Sequence, residues 1–281
     1  MRLLLTTFVM ASMFIGPLVR ESAAEGITLT FGAYQTDKPT VVYQQFRPVL
    51  DGLEVALQRD FGRPVEVRLK IFKNYDEARE ALVRGTIDFV RFGPASYVLA
   101  KQQNPNIELI VMEHKKGEKR FKGLVIVAAN SRIESLSDLA GHSFAFGDEN
   151  STIGRYLVQA ELVKVGVRSG DLARYAFLGR HDKVAKAVIL GDFDAGSVKE
   201  STYKQMNTND ELRVLASFDN VTKPWIAREG LPPRLLDSLR EGLLATKDPA
   251  TLASLKASGF LPTSDGEYQF VRDGMRQSRE F

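Results

Sequence analysis

The stretch Phe144-Ala145-Phe146-Gly147-Asp148-Glu149-Asn150-Ser151-Thr152-Ile153-Gly154-Arg155-Tyr156 constrains the fold more than any other. Ser143 to Phe146 is short and apolar and reads as a strand; Gly147 to Asn150 is a turn cluster. Ile153, Leu157, Ala160 and Val163 then recur at helical spacing, with Asn150 or Ser151 as N-cap and Gly166 as the stop, so a helix is predicted over 151–165. A helix start leaves N–H groups without intrahelical partners, and the macrodipole makes that end attractive to an anion. Ser151 and Thr152 add hydroxyls there. The same residues serve equally well as plain helix caps, and this window alone does not separate the two roles.

The flanking chain alternates strand and helix. Strands are predicted at Ile27–Ala33, Val65–Phe72, Ile87–Phe92, Ile107–Glu113, Gly123–Ala129, Ala176–Leu178, Phe193–Gly196 and Leu212–Phe218. Helices are predicted at Thr40–Phe61, Tyr75–Arg84, Ala95–Gln103, Lys183–Leu190, Leu235–Leu244 and Pro249–Ser258, with a short one at Leu136–Gly141. This is an α/β order, whose ligands sit beyond the carboxyl ends of the strands. Those ends carry Tyr34, then Tyr75, then Ser96 and Tyr97. Phenols at successive strand ends suit one cleft wall, because each offers an O–H beside an apolar ring. The basic segment His114 to Lys122 reads as a solvated loop.

Residues 1–24 have the pattern of an export leader: Arg2, an apolar run from Leu3 to Val19, then Ser22-Ala23-Ala24, with cleavage expected after Ala24. The expected location is periplasmic. The absence of cysteine excludes disulfides, thiol catalysis and lipid attachment through an N-terminal thiol. Lys+Arg is 38 and Asp+Glu 35, a net of +3; Arg2, Arg20 and Glu21 account for one of these charges, leaving +2 beyond the leader. The charges are dispersed, so no nucleic-acid partner is indicated. Three histidines without cysteine give no metal-ligand spacing and no cofactor signature.

Gly85-Thr86-Ile87-Asp88-Phe89, Phe92-Gly93-Pro94-Ala95-Ser96-Tyr97, Phe144 to Gly154, Gly179-Arg180-His181-Asp182 and Asp194-Ala195-Gly196 together resemble the marker segments of one family. It is the phosphate/phosphite/phosphonate-binding proteins of ABC importers, and the resemblance runs from about Ile27 to Phe281. It implies a two-lobed type II periplasmic-binding-protein fold with two hinge strands near 121–130 and 218–226. Lobe 1 is expected over 25–125 and 222–281, lobe 2 over 126–221, with the carboxyl-terminal helices mainly on lobe 1.

The family's Ser-Thr-Ser-Gly pattern matches Ser151, Thr152 and Gly154; Ile153 departs from it and offers only its backbone N–H. The family's histidine matches His181 and its cleft tyrosine Tyr75. Relatives that bind aminoalkyl phosphonates carry acidic residues in the second half of the cleft. Here Lys223 precedes Pro224, which disfavours an amine-bearing ligand, and Glu200 falls near another such position. The resemblance implies a monomeric solute-binding protein, not an enzyme, that delivers a small oxyanion to an importer permease. The alternatives are a sensor docking on a membrane histidine kinase and, more remotely, an enzyme on the same fold. For an enzyme, Ser151 and His181 would have to pair as nucleophile and base, and no third group is identifiable.

Overall fold

The computed structural model describes residues 25–35 and 38–281, so the expected leader over 1–24 lies outside the described residues. The chain begins with β1 (Ile27–Tyr34), α1 (Pro39–Phe61), β2 (Val65–Phe72), α2 (Tyr75–Val83), β3 (Phe89–Arg91), α3 (Pro94–Gln103) and β4 (Glu108–His114). It continues through β5 (Arg120–Ala128), β6 (Ser143–Phe146), a π-helical turn over Thr152–Leu157 that runs into α4 (Val158–Lys164), β7 (Arg174–Phe177), α5 (His181–Ile189), β8 (Ala195–Lys199), α6 (Glu200–Met206) and β9 (Leu212–Val221). It ends with β10 (Pro224–Ala227), α7 (Pro233–Leu244), α8 (Pro249–Leu255), β11 (Gly259–Leu261) and α9 (Gln269–Gln277).

The strands form two sheets, as the α/β reading requires. One is six-stranded in the order β11-β4-β10-β3-β1-β2, the other five-stranded in the order β7-β6-β8-β5-β9. The first crossing between them lies ahead of its expected place: β5 pairs with β9 from Arg120 onward, so the chain has left the first sheet by residue 115. The return crossing is short, between Val221 and Pro224. The two crossings are bonded to each other, Glu113 N–H donating to the Lys223 carbonyl at 3.0 Å and Thr222 N–H to that of Lys119 at 2.9 Å.

Apolar spacing on α1 turns Val42, Phe46, Val49, Leu50, Leu53 and Leu57 onto the first sheet, where they meet the buried Phe31, Phe89 and Trp225. Phe31 and Trp225 stack with centroids 4.8 Å apart. Burying each such side chain contributes roughly 1.5–3 kcal/mol. In both sheets an aspartate pins the end of one strand to its neighbour. Asp88 Oδ2 accepts from Thr30 N–H at 2.8 Å, and Asp194 Oδ2 from Ser143 N–H at 2.8 Å.

Several elements go beyond the sequence expectation. β10 lies in the middle of the first sheet, antiparallel to both β3 and β4, although it opens on Pro224 and reads as a mere crossing. α6 and β11 are too short to carry a clear period; α9 carries one, with Val271 and Met275 four residues apart on its buried face, and lies outside the helices predicted from the sequence. α7 and α8 pack in the core of the first sheet through Leu236, Leu239, Leu243 and Leu255, and α9 with the terminal residues is shared between the two sheets. Val271 and Met275 pack among α3 residues, while Phe270 and Phe281 reach the core of the second sheet.

Candidate ligand-binding site

The Gly147–Asn150 turn delivers the chain into a helix whose first turn is π-helical, not α-helical as its spacing predicts. The Ser151 carbonyl accepts both Arg155 N–H at 3.1 Å and Tyr156 N–H at 3.2 Å. Ser151 is the N-cap, its Oγ accepting the Gly154 N–H at 3.0 Å. That amide is thereby committed, leaving Thr152 and Ile153 as the first-turn amides ahead of the helical bonds. The turn is pressed against the strand it follows: Gly147 N–H donates to the Gly154 carbonyl at 2.8 Å. A Cβ on Gly154 would come within 2.8 Å of the Gly147 Cα. Ile153 turns its side chain into the core of the second sheet, and its carbonyl accepts the Ser197 hydroxyl at 2.9 Å.

Thr152 joins the sheets, its Oγ1 accepting the Ala95 N–H at the start of α3 at 2.9 Å. Next to it, the Tyr34 phenol accepts the Gly93 N–H at 2.7 Å, and Tyr34 stacks on Tyr75 with centroids 3.8 Å apart. A Cβ on Gly93 would meet the Tyr34 hydroxyl at 3.0 Å and Thr152 Oγ1 at 3.7 Å, so glycine lets these groups approach. The Ser96 hydroxyl is buried beside Tyr34 with no well-formed partner. Burial raises the pKa of Tyr34 and raises that of Tyr75 well above the phenol range, so both rings stay protonated donors. Asn150 Nδ2 reaches Asp76 Oδ2 at 3.3 Å at the rim, where burial raises the pKa of Asp148.

His181 opens α5 close to Gly147, its Nδ1 enclosed without a partner. Burial, then the charge of Lys199, hold its pKa down at about 3, so the ring is neutral near pH 7 and carries one N–H. The structure therefore gathers Tyr34, Tyr75, Ser96, Ser151, Thr152, Ile153, Gly154 and His181. Tyr97 is not with them: its hydroxyl donates to Asp265 Oδ1 at 2.6 Å and its ring meets Tyr268 edge-on. Adjacent helix residues project about 100° apart, so Ser96 and Tyr97 face different neighbours. Sequence reading missed Arg91. It is buried at the end of β3, forked onto Glu113, and close enough for its charge to bear on both tyrosines. An arginine beside a Gly-Pro turn is a signal too common to single out.

Among the described residues no cluster of three or more potential metal-ligating side chains occurs, and no helix is long and apolar enough to cross a membrane. Residues 31–268 match the family of ABC transporter, phosphonate, periplasmic substrate-binding proteins. The chain is 29% identical over 202 residues to the probable ABC transporter phosphite binding protein PhnD1 of Prochlorococcus marinus. That match covers 68% of this chain and 66% of the relative, just under two thirds of the latter. It is 25% identical over 285 residues to the phosphate-import protein PhnD of Mycolicibacterium smegmatis, covering 90% of this chain and 87% of that one. The solved structure of P. marinus PhnD1 in complex with methylphosphonate superposes with a TM-score of 0.76 at 25% identity, covering 90% of this chain and 99% of that one. The fold is thus that of the type II periplasmic binding proteins. With most of its length matched, the chain belongs to the periplasmic substrate-binding proteins of phosphonate ABC transporters.

Proposed function

We propose that the chain captures a phosphorus oxyanion (phosphonate, phosphite or phosphate) between two lobes and delivers it to the permease of an ABC importer. The carrying observation is the state of three hydroxyls. Ser151, Thr152 and Tyr34 each accept a backbone N–H, from Gly154, Ala95 and Gly93 respectively. A hydroxyl whose lone pair is engaged in this way keeps its O–H to donate. These O–H groups, the amides of Thr152 and Ile153 and the Tyr75 and Ser96 hydroxyls make a set rich in donors. A dry anion is tolerated only where each oxygen is met by donors.

On this reading the sheet of β1–β4 and that of β5–β9 are the cores of the two lobes, and the paired crossings are the hinge. Thr152–Ala95 and Asn150–Asp76 are the contacts of the closed clamp. One copy supplies both halves of the donor set, so the working unit is a monomer. The protein acts without catalysis, after export through a leader cleaved near Ala24. Names of similar proteins point the same way, toward phosphite, phosphate and methylphosphonate.

Calorimetry with phosphate, phosphite, methylphosphonate, 2-aminoethylphosphonate and sulfate tests the reading. At least one phosphorus anion binds, and Tyr75→Phe, which keeps the stacked ring and removes one donor, weakens it tenfold or more, about 1.5–3 kcal/mol. Absence of binding by every phosphorus anion refutes the proposal.

A further inference from the structure

The hinge holds more positive charge than it neutralises. Arg91 and Glu113 are both buried and form a two-pronged pair, Nε to Oε1 at 2.9 Å and Nη2 to Oε2 at 3.0 Å. Trp225 Nε1 donates to the same Oε1 at 3.2 Å. The Glu113 carboxylate is therefore taken up by Arg91 and Trp225. Lys223, on the return crossing, is the cation left over. Its ammonium lies 5.7 Å from the centroid of the Phe121 ring and, among the described residues, within ion-pair distance of no carboxylate. Next to it the Thr222 hydroxyl is buried, with the residue 4% exposed, and has no partner. Burial, and after it the charge of Arg91, push the Lys223 pKa well below the lysine range, with Glu113 opposing.

This cation stands apart from the oxyanion donors by a short, readable step. Ser197 ties β8 to the π turn through the Ile153 carbonyl. Lys199 is two residues further on the same face of that strand, roughly 7 Å away. The charges of Lys199 and Lys223 both bear on His181, so the basic region adjoins the cradle without being part of it. A ligand filling both must carry negative charge at both ends.

Resting on the oxyanion reading above, we infer that the bound phosphorus anion carries a short substituent ending in a second anionic group. The chemical class is a phosphonocarboxylate, and Lys223 is the partner of that second group. An amine at this end would place a second cation beside the half-buried Lys223, and a methyl group would leave Lys223 without an anionic partner.

Calorimetry with three ligands sharing one head group decides this: methylphosphonate, phosphonoacetate and 2-aminoethylphosphonate. Phosphonoacetate should bind about tenfold or more tighter than methylphosphonate, and 2-aminoethylphosphonate more weakly than either. In Lys223→Met the preference for phosphonoacetate over methylphosphonate should fall to about one. Lys223 is only half-buried and has no carboxylate within ion-pair distance among the described residues, so this variant should leave the ligand-free melting temperature in place. Lys223→Glu should reverse the order in favour of the amine. Equal binding of phosphonoacetate and methylphosphonate by the native protein overturns this inference while leaving the oxyanion reading intact. So does a preference that survives Lys223→Met unchanged. Failure of all phosphorus anions to bind overturns both.

Discussion

Thr152 Oγ1 accepts the Ala95 N–H at 2.9 Å, so the first residue of the π turn on one sheet caps a helix that belongs to the other. α3 needs that service because Gly93, at its N-cap position, has no side chain to cap with. The bond exists only while the two sheets are together. On the function proposed above, it couples closure of the clamp to the orientation of a hydroxyl that faces the ligand.

Thr152→Val keeps the shape of the side chain and deletes both the acceptor for Ala95 and the donor toward the anion. The closed form is left with an unmet buried N–H, which costs about 1–3 kcal/mol, while an open form hydrates it. Affinity should fall tenfold or more by calorimetry, and small-angle scattering should show a more extended ligand-free protein than the native chain. Unchanged affinity and unchanged dimensions would mean that the bond does not control closure.

Gly147 and Gly154 touch backbone to backbone. A Cβ at position 154 meets the Gly147 Cα at 2.8 Å and N at 3.1 Å, neither of which can swing aside. Gly154→Ala should cost about 1–3 kcal/mol, several degrees in melting temperature, and displace the turn that presents Thr152 and Ile153. Gly170→Ala, where a Cβ meets nothing within 4 Å, is the control and should leave both melting temperature and affinity in place.

The helix start, its cap and the apolar strand before it were legible because Ser151, Ile153 and Leu157 obey local rules that any α/β chain must satisfy. Tyr34 and Tyr75 were legible as phenols following strands, and His181 through its match to the family's histidine. What escaped depends on distant partners. The π turn arises where the Ser151 carbonyl takes two amides while Gly154 is held against Gly147, a contact invisible in a spacing pattern. Tyr97 carries the same chemistry as Tyr34, yet one helical step turns it toward Asp265. Lys223 stands out in the sequence only through the resemblance, as a basic residue where amine-binding relatives carry an acidic one. The pairing of Arg91 with Glu113 leaves it without that carboxylate as an ion-pair partner.

His181 makes a prediction about acid. Its pKa falls from 6.5 in the unfolded chain to about 3 in the fold, because of burial first and Lys199 next. Below the unfolded value the unfolded chain takes up a proton that the folded chain refuses. Stability of the ligand-free protein is therefore fully present above 6.5 and is lost as pH falls toward 3, by up to about 1.4 kcal/mol per pH unit. His181→Asn should flatten the fall in melting temperature between about pH 4 and 6 relative to the native protein. Parallel curves for the two proteins would show that His181 is protonated in the fold.

The central claim is the place of the anion, and a crystal structure of the protein grown with methylphosphonate tests it most directly. The account predicts phosphonate oxygens about 2.7–3.1 Å from the N–H groups of Thr152 and Ile153. The Ser151, Thr152 and Tyr75 hydroxyls should complete the shell. An anion bound elsewhere, such as in the rim groove lined by Asp148, Phe177 and Gly179, with the π turn left uncontacted, would contradict it.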